Sequence, residues 1–419
     1  MPFDKAKIIN AINKAFIEVD GKLYEDDTAR DIAADIEDVL TELYDTLGIE
    51  TPVENIQDMI EDYLMRSERR DVAREYIRYR YKREVARNCN DEFIKAFSEK
   101  INAEAIDNQN ANVDEMSFGG RVGAGSDLQM KRYALDYCVS PMARKNHENN
   151  EIYIHDLSAY AVGMHNCLTI PFDDILAKGF NTRQTDVRPA GSVNTAFQLV
   201  AVIFQLQSLQ QFGGVSAGHL DWTMVPYVRK SFYKHYCDGL KYIESAKSGH
   251  RIKICLDKED AVDIKIDNIN IYNHKDAYSY AMEQTEKEVH QAVEGMYHNL
   301  NTLQSRSGNQ LPFTSINYGT CTLSEGRMIT KAILDVSIEG LGKLRKTSIF
   351  PCGIFQCMKG VNREPGDPNY DLYRMALEST ATRLYPNYAN VDWSNNAGYD
   401  RDDPKTYFGT MGKRKLQPM

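Results

Sequence analysis

Residues 1–90 show the spacing of apolar positions that is typical of a small helical module. Asp4 stands where an N-cap belongs, because its carboxylate can accept a hydrogen bond from the first turn of a helix. The apolar positions behind it recur every three or four residues, so they fall on one face of that helix. They are Ile8, Ile9, Ile12, Phe16 and Val19. The sequence therefore predicts an amphipathic first helix.

Three further helices are predicted in the same module. The second begins near Asp27 or Thr28 and is stopped by Gly48. Thr51 is a good cap for the third, and Pro52 falls in its first turn, where a missing N–H costs no hydrogen bond. The fourth is the stretch DVAREYIRYRYKREVARN, whose arginines and tyrosines are typical of a solvated face with aromatic packing.

The composition changes after this module. The stretch NQNANVDEMSFGGRVGAGSDLQ is polar and glycine-rich, and it predicts a connector that ends in a capping Ser126 or Asp127. Its glycines alone do not make a phosphate loop, because no Lys-Ser or Lys-Thr pair follows them. Beyond residue 130, apolar runs such as EIYIHDL, HNCLTIPF and TSIFPCGIFQCM alternate with longer helical stretches. This alternation is typical of an α/β domain with buried strands.

One predicted helix has a start that suits an anion. The stretch RPAGSVNTAFQLVAVIFQLQSLQQFGG begins a helix after Gly191 and Ser192 and is apolar on most sides. A buried helix with small residues at its start can offer unpaired backbone N–H groups to a phosphate. The spacing alone favours the simpler interpretation, which is a core helix with a capping serine.

Composition and charge exclude several classes of function. The 419 residues, 42% hydrophobic and 26% charged, describe an ordinary globular protein of about two domains. The net charge of -10 argues against a nucleic-acid partner. No apolar run is long enough to span a bilayer, so the sequence predicts no membrane partner. The first residues, MPFDKAKIIN, lack the hydrophobic stretch of a secretory signal, so we expect a cytoplasmic protein.

The eight cysteines are dilute and include no C-x-x-C pair, which argues against a disulfide scaffold and a zinc ribbon. Cys352 and Cys357 are the closest pair, and their apolar neighbours predict a buried strand rather than a metal site. Cys167 follows His165 and Asn166 and precedes an apolar run. On a strand, His165 lies on the same face as Cys167 and can polarise its thiol. The residues alone leave open whether this thiol is reactive or an inert part of the core.

Four separate stretches carry a resemblance to a known family: EIYIHDLSAYAVGMHNCL, SRSGNQLPFTSINYGT, IFPCGIFQCMKGVN and GDPNYDLY. In these motifs and in their order, the chain resembles the anaerobic class III ribonucleoside-triphosphate reductases, which are glycyl radical enzymes. The resemblance implies an α/β fold, with a helical ATP-cone-like regulatory module over residues 1–90. Residues 100–419 would supply the first part of a ten-stranded α/β barrel of the glycyl radical enzyme type. The implied activity is an oxidoreductase that reduces ribonucleoside triphosphates to deoxyribonucleoside triphosphates for DNA synthesis.

The resemblance also implies roles for individual residues. Cys167 matches a cysteine that faces the sugar and takes part in its reduction, since an S–H bond is weak enough to exchange a hydrogen atom with a carbon radical. Asn317 matches an asparagine that helps to hold formate or the substrate. His165 and Asn166 are implied substrate contacts beside the thiol. The implied contacts to the substrate phosphates are Gly191, Ser192, Asn194 and Thr195.

The family further implies cofactors and partners. These are a glycyl radical installed by a radical-SAM activating enzyme, a structural zinc, nucleotide effectors (ATP and deoxynucleotides), formate as the reductant and a homodimer. Family ATP cones begin with a basic strand, whereas this chain starts at MPFDKAK, so we expect residues 1–90 to bind ATP weakly or not at all.

A second departure lies at the other end. The family reads Met-Gly-Cys-Arg, with the thiyl-radical cysteine, where this sequence reads MGKR at 411–414. The family's zinc and glycyl-radical segments lie further on, so we expect no reductase activity from residues 1–419 alone. Two alternatives stay open: a non-catalytic nucleotide-binding fragment, and another glycyl radical enzyme such as a formate-lyase relative. The latter generally carry adjacent cysteines, and no Cys-Cys pair occurs here.

Overall fold

The computed structural model describes residues 4–22, 27–47, 51–101, 117–163, 167–211, 213–250, 252, 263, 265–268, 274–305, 309–393, 398–407 and 409. The chain divides into two compact units, Met1–Glu99 and Lys100–Met419. Among the described residues, the helices are all too short or too polar to cross a membrane.

The first unit is a bundle of helices around its own apolar core. Its helices are α1 (Lys5–Asp20), α2 (Thr28–Leu47), α3 (Val53–Arg66) and α4 (Arg70–Ile101). The predicted cap of α1 is confirmed, because the Asp4 carboxylate accepts a hydrogen bond of 3.1 Å from the Ala6 N–H. The buried core side chains include Ile12, Phe16, Ile36 and Leu64.

Two details of this unit differ from the sequence prediction. Val19 is 36% exposed, because α1 ends one residue later at Asp20 and its last turn reaches past the core. Pro52, rather than Thr51, is the cap residue of α3; its extended backbone, with ψ 153°, places it outside the helix.

The predicted connector falls within the second unit and is wrong in part, because its predicted capping residues Ser126 and Asp127 lie inside a helix. Residues 118–133 form helix α5 (Phe118–Tyr133), which Ser117 caps by accepting a 3.0 Å hydrogen bond from the Gly120 N–H. Gly119 packs closely inside this helix: a Cβ there would come within 2.2 Å of the Asn309 Oδ1, so that side chain would have to move. A contact with a residue so distant in sequence leaves no local signal. The run EIYIHDL likewise forms no strand.

The second unit is an α/β domain, as expected. After α5, its helices are α6 (Pro141–Glu148), α7 (Leu157–Tyr160), α8 (Phe172–Lys178), α9 (Val193–Ser208), α10 (Leu220–Thr223), α11 (Val225–Gly239), α12 (Ser245–Ser248), α13 (Lys275–Thr302), α14 (Ser324–Glu339) and α15 (Tyr370–Arg383). Its strands are β1 (Leu168–Ile170), β2 (Phe180–Asn181), β3 (Asp186–Val187), β4 (Val215–Ala217), β5 (Thr314–Tyr318), β6 (Cys352–Cys357) and β7 (Asn387–Asn390). Two π-helical turns, Ala134–Cys138 and Leu240–Glu244, continue α5 and α11; short 3₁₀ turns lie at Ile266–Asn268, Val391–Trp393 and Pro404–Thr406.

Five strands form one parallel sheet in the order β1-β4-β5-β6-β7, and β2 pairs with β3 in a separate antiparallel ribbon. Each strand of the sheet is joined to the next by a connection that contains at least one helix, the usual way to connect parallel neighbours. This sequential parallel arrangement agrees with the α/β fold that the resemblance implied. The strand predicted from the neighbours of Cys352 and Cys357 is confirmed as β6.

The two faces of the sheet differ in polarity. One face carries Ile316, Tyr318 and Phe355, and it joins the main core with side chains of the packed helices α9, α13 and α14. Phe204 of α9 is fully buried in this core, so the prediction of a buried helix there is confirmed. The opposite face carries hydroxyl and amide side chains, described below, together with Cys352 and Ile354 of β6.

The separate core of the first unit leads to a stability prediction. Leu64 is fully buried, whereas its neighbour Met65 is 49% exposed. Leu64→Ala removes core contacts and leaves a cavity, so we expect the unfolding free energy of this unit to fall by about 2–5 kcal/mol. Amide hydrogen exchange of the full chain should speed up in α1 and α3 while α9 is unchanged. Met65→Ala is the control, and equal effects of the two variants would contradict this packing.

Candidate functional site

Polar side chains line one face of the parallel sheet in register. Thr169 of β1 is paired with Ser216 of β4, and Ser216 with Ser315 of β5. Paired residues of parallel strands point to the same face, and so do residues two positions apart on one strand. Asn317 of β5 and Gln356 of β6 therefore share this face, which we call the polar face. Four of these five side chains are fully buried: Ser216, Ser315, Asn317 and Gln356.

Asn317 is held firmly on the polar face. Its Nδ2 donates hydrogen bonds to the Ala217 carbonyl oxygen at 2.9 Å and to the Ser216 Oγ at 3.2 Å. Gln356 is tied to the same neighbouring strand end, since its Nε2 donates to the Gly218 carbonyl oxygen at 3.3 Å. These cross-strand bonds fix the plane of the Asn317 amide.

Cys167 lies directly before β1 on the side of the polar face. The Leu168 N–H donates to the Gly214 carbonyl oxygen at 3.0 Å, so the strand pairing reaches back to this point. The alternation of β1 then places Cys167 on the same face as Thr169. Its thiol is half-buried and not part of a disulfide. The two predicted neighbours, His165 and Asn166, lie outside the described residues.

The four predicted phosphate contacts stand together at the start of α9. The Ser192 Oγ caps the helix by accepting a 3.2 Å hydrogen bond from the Thr195 N–H. Gly191, Asn194 and Thr195 are exposed, and no heavy atom lies within 4 Å of a Cβ built on Gly191. The Lys230 Nζ donates to the Ala190 carbonyl oxygen at 3.1 Å, which brings a positive charge to the residue before this turn.

A buried carboxylate joins the ends of β4 and β5. Asp221, with no exposed surface, accepts hydrogen bonds from the Gly319 N–H at 2.9 Å and the Cys321 N–H at 2.8 Å. Burial raises the pKa of Asp221, while the N–H donors act in the opposite direction. The neighbouring Trp222 donates from its indole Nε1 to the Thr320 Oγ1 at 3.0 Å. The loop after β5 is thus held by the turn after β4.

Two asparagines hold the same loop from the other side. The Asn362 Nδ2 donates to the Gly319 carbonyl oxygen at 2.9 Å, and the Asn369 Nδ2 donates to the Cys321 carbonyl oxygen at 2.8 Å. Both side chains are fully buried. Because the N–H and C=O groups of both Gly319 and Cys321 are paired, the end of β5 is a rigid platform.

A histidine and a carboxylate meet at the ends of β1 and β4. The His219 Nε2 lies 2.7 Å from the Asp173 Oδ2, and the Thr223 hydroxyl donates to the other carboxylate oxygen at 2.7 Å. Burial acts to raise the pKa of Asp173. Hydrogen bonds from His219 and Thr223 and the charge of Lys405 oppose it, and the pKa is lowered. Asp173 therefore stays ionised.

The last described residue also reaches the polar face. A Cβ built on Gly409 would lie 3.6 Å from the Gly218 Cα and 3.7 Å from the Asn317 Nδ2. The chain that leads to residues 411–414 thus passes beside Asn317. Residues 411–414 themselves lie outside the described residues.

The structure sorts the predicted site residues into two groups. Asn317 lies on the polar face, and Cys167 lies directly before β1, where continued alternation of the strand would put it on the same face; the four predicted phosphate contacts lie at the start of α9. Asp221, His219 and Gln356 were not predicted from the sequence, because their partners lie far away along the chain. Polar residues inside the otherwise apolar strand stretch TSINY are the local signal that could have indicated a polar face.

The first unit contains a cleft of about 300 Å³ between α1 and α4. Lys14 and Lys82 bring positive charge to it, Glu18 and Glu75 bring negative charge, and Tyr79 offers an aromatic ring. Its remaining lining residues are Ala11, Ala15 and Ile17. The cleft combines apolar walls with polar groups, as small-molecule sites usually do.

Comparison with known proteins gives two family matches. The family model described as anaerobic ribonucleoside-triphosphate reductase matches residues 109–415, and the one described as ATP cone domain matches residues 1–85. Among solved structures, the anaerobic ribonucleotide reductase from Thermotoga maritima with dATP bound in the specificity site aligns with a TM-score of 0.45. It is 13% identical, over 73% of this chain and 48% of that chain.

Named relatives agree with these matches. The anaerobic ribonucleoside-triphosphate reductase of Haemophilus influenzae is 30% identical over 93% of this chain and 50% of the relative. The Escherichia coli enzyme is 30% identical over 94% of this chain and 50% of the relative. The chain thus spans about half the length of these relatives. The resemblance seen in the sequence is confirmed, and the chain belongs to the anaerobic ribonucleoside-triphosphate reductase family, with an ATP cone domain at its amino end.

Proposed function

We propose that the enzyme containing this chain reduces ribonucleoside triphosphates to deoxyribonucleoside triphosphates. The observation that supports this most is the position of Cys167, a half-buried thiol, on the same polar face as the fixed amide of Asn317. A sugar needs polar partners for its hydroxyl groups and a hydrogen-atom donor close to its carbon atoms. The polar face offers both in one place.

Cys167 supplies the hydrogen-atom donor. Reduction begins when the 3′ hydrogen of the ribose is removed and the 2′ hydroxyl leaves as water, which leaves a sugar radical to be reduced. The S–H bond of Cys167 breaks, its hydrogen atom goes to the sugar radical, and the unpaired electron is then on sulfur. Formate then gives a hydrogen atom to the Cys167 sulfur, which restores the thiol and leaves the carbon dioxide radical anion. That anion passes its extra electron, with a proton from the medium, to the 3′ ketone of the sugar and leaves as carbon dioxide. The hydrogen atom removed at the start then returns to C3′, which completes the deoxynucleotide and regenerates the starting radical.

Asn317 holds the reacting groups in place. Its amide is fixed by β4, and Asn317 lies two residues from Ser315 on the same face of β5. A bound hydroxyl or formate oxygen would therefore meet a polar partner in a defined position. Orientation of this kind is a large part of what an active site contributes. His165 and Asn166 directly precede Cys167 in the sequence, and for that reason we propose them as substrate contacts.

The start of α9 receives the substrate phosphates. Two of its first N–H groups have protein partners, Val193 on the Ser231 Oγ and Thr195 on the Ser192 Oγ. The exposed residues Gly191, Asn194 and Thr195 leave room for an anion at a helix end that carries partial positive charge.

The remaining family features are part of the same proposal. The cleft between α1 and α4 is the candidate place for an ATP or deoxynucleotide effector, which we expect to bind only weakly there. A glycyl radical, installed by a radical-SAM activating enzyme, supplies the unpaired electron that starts the reaction. No cluster of three or more His, Cys, Asp or Glu side chains occurs in the described part of the chain, so no residue here is assigned to zinc. A homodimer and a cytoplasmic location complete the proposal.

The phosphate assignment predicts the effect of Ser192→Ala. The variant loses a side-chain acceptor at the start of α9, so the turn that would bind phosphate is less well ordered. We expect the affinity for a ribonucleoside triphosphate, measured by equilibrium dialysis, to fall about three- to tenfold, and the affinity for the nucleoside without phosphates to stay the same. Ser208→Ala, at the other end of α9, is the control. An equal loss for nucleoside and triphosphate would argue against a phosphate site.

The thiol assignment predicts the effect of Cys167→Ser. A hydroxyl O–H bond is too strong to give up a hydrogen atom, so the complete enzyme that contains this chain, once activated, should form no deoxynucleotide with this variant under strict anaerobiosis. Nucleotide binding should stay within about twofold of the wild type, because the change is nearly isosteric. Cys138→Ser, at an exposed cysteine, is the matched control and should keep full activity. Normal product formation by Cys167→Ser would refute the assignment, as chromatography of the products would show.

A further inference from the structure

A chain of hydrogen bonds crosses three helices and ends on the first turn of α9. The Val193 N–H donates to the Ser231 Oγ of α11 at 3.0 Å, and the Ser231 hydroxyl donates to the Glu288 Oε1 of α13 at 3.1 Å. The second carboxylate oxygen of Glu288 lies 2.8 Å from the Nε2 of His235 on α11. Ser231 is fully buried, and Glu288 and His235 are 18% and 15% exposed.

The direction of these bonds gives Glu288 a definite task. A hydroxyl has one proton and can turn it toward any acceptor nearby. Because Glu288 takes the proton of Ser231, a lone pair of the Ser231 Oγ is aimed at the Val193 N–H. Burial acts to raise the pKa of Glu288, but the bonds from His235 and Ser231 and the charge of Lys234 lower it overall. The carboxylate is therefore ionised and is a constant acceptor.

The same pair sets the charge behind the start of α9. With His235 protonated, the pair carries no net charge; with His235 neutral, the negative charge of Glu288 is left behind the turn. The other charged groups here are Lys234, which acts on Glu288, and Lys230, which binds the Ala190 carbonyl oxygen. The helix α9 itself has no charged side chain.

We propose that Glu288 and His235 are positioning residues for the first turn of α9, and that the charge of His235 adjusts the affinity of this turn for phosphate. The inference rests on the proposed function in one respect, namely that this turn receives the phosphates of the substrate. The claim that Glu288 and His235 position this turn through hydrogen bonds does not depend on any ligand. It gives two residues outside the polar face a role in substrate binding.

The first test needs no nucleotide. Hydrogen–deuterium exchange of residues 190–197 in the full chain should be faster in Glu288→Ala and in Ser231→Ala, to a similar extent, than in the wild type. Exchange in α14 is the internal control for folding. If Ser231→Ala speeds exchange and Glu288→Ala leaves it at the wild-type rate, Glu288 does not position this turn and the inference is overturned.

The second test measures affinity for a ribonucleoside triphosphate at pH 6 and pH 8 in the wild type and in His235→Gln. Glutamine can donate the same hydrogen bond to Glu288 but does not titrate, so changes in the charge of the nucleotide affect both proteins equally. We expect the wild type to lose about two- to fivefold more affinity than the variant as pH rises, a size typical of charges near a helix end. If the affinities of the wild type and His235→Gln depend on pH in the same way, the charge of His235 does not adjust the affinity for phosphate, and that part of the inference is overturned. Absence of binding to the wild type at both pH values overturns the phosphate site itself, while the exchange test still decides the hydrogen-bond part.

Discussion

The carboxylate of Asp221 is the constraint on which the end of the sheet depends. It is buried, and it accepts hydrogen bonds from the backbone of Gly319 and Cys321, directly after β5. Without it, two buried N–H groups would lose their partners, at a cost of about 1–3 kcal/mol each. Asn362 and Asn369 bind the carbonyl groups of the same loop, so the loop has no freedom to move away. The rigid loop keeps Asn317, two residues before it, at a fixed place on the polar face.

The alternation of side chains along a strand explains how one sheet serves both stability and function. Within β5, Ile316 and Tyr318 enter the main core, while Ser315 and Asn317 lie on the polar face. A buried amide is costly unless it is paired, and the bonds of Asn317 to Ser216 and to the Ala217 carbonyl oxygen provide that pairing. The buried Ser315 Oγ on the same face makes no hydrogen bond with any residue that the structure describes. A polar surface fixed in this way needs little rearrangement when a sugar binds, which favours orientation of the reacting groups.

Sequence reasoning succeeded where the cause of a structure is local. The cap at Asp4, the buried helix α9 and the strand around Cys352 all follow from neighbours within a few residues, and the family motifs are contiguous. It failed where the cause is distant. The glycines of α5 led to the prediction of a connector, because nothing near Gly119 in the sequence indicates that it packs against Asn309, far along the chain. The clamp of Asp221 joins residues 98 positions apart, which spacing cannot indicate. The common face of Cys167 and Asn317 depends on strand register, which becomes visible only in the folded sheet.

The most direct test of this account is a crystal structure of the chain with a ribonucleoside triphosphate bound. The account predicts the ribose over the polar face, with Cys167 and the amide of Asn317 in contact with the sugar, at about 4 Å or less. It also predicts the phosphates at the first turn of α9. A nucleotide that binds only in the first unit, or one whose ribose lies away from Cys167, would contradict the central claim that the polar face is where the sugar reacts.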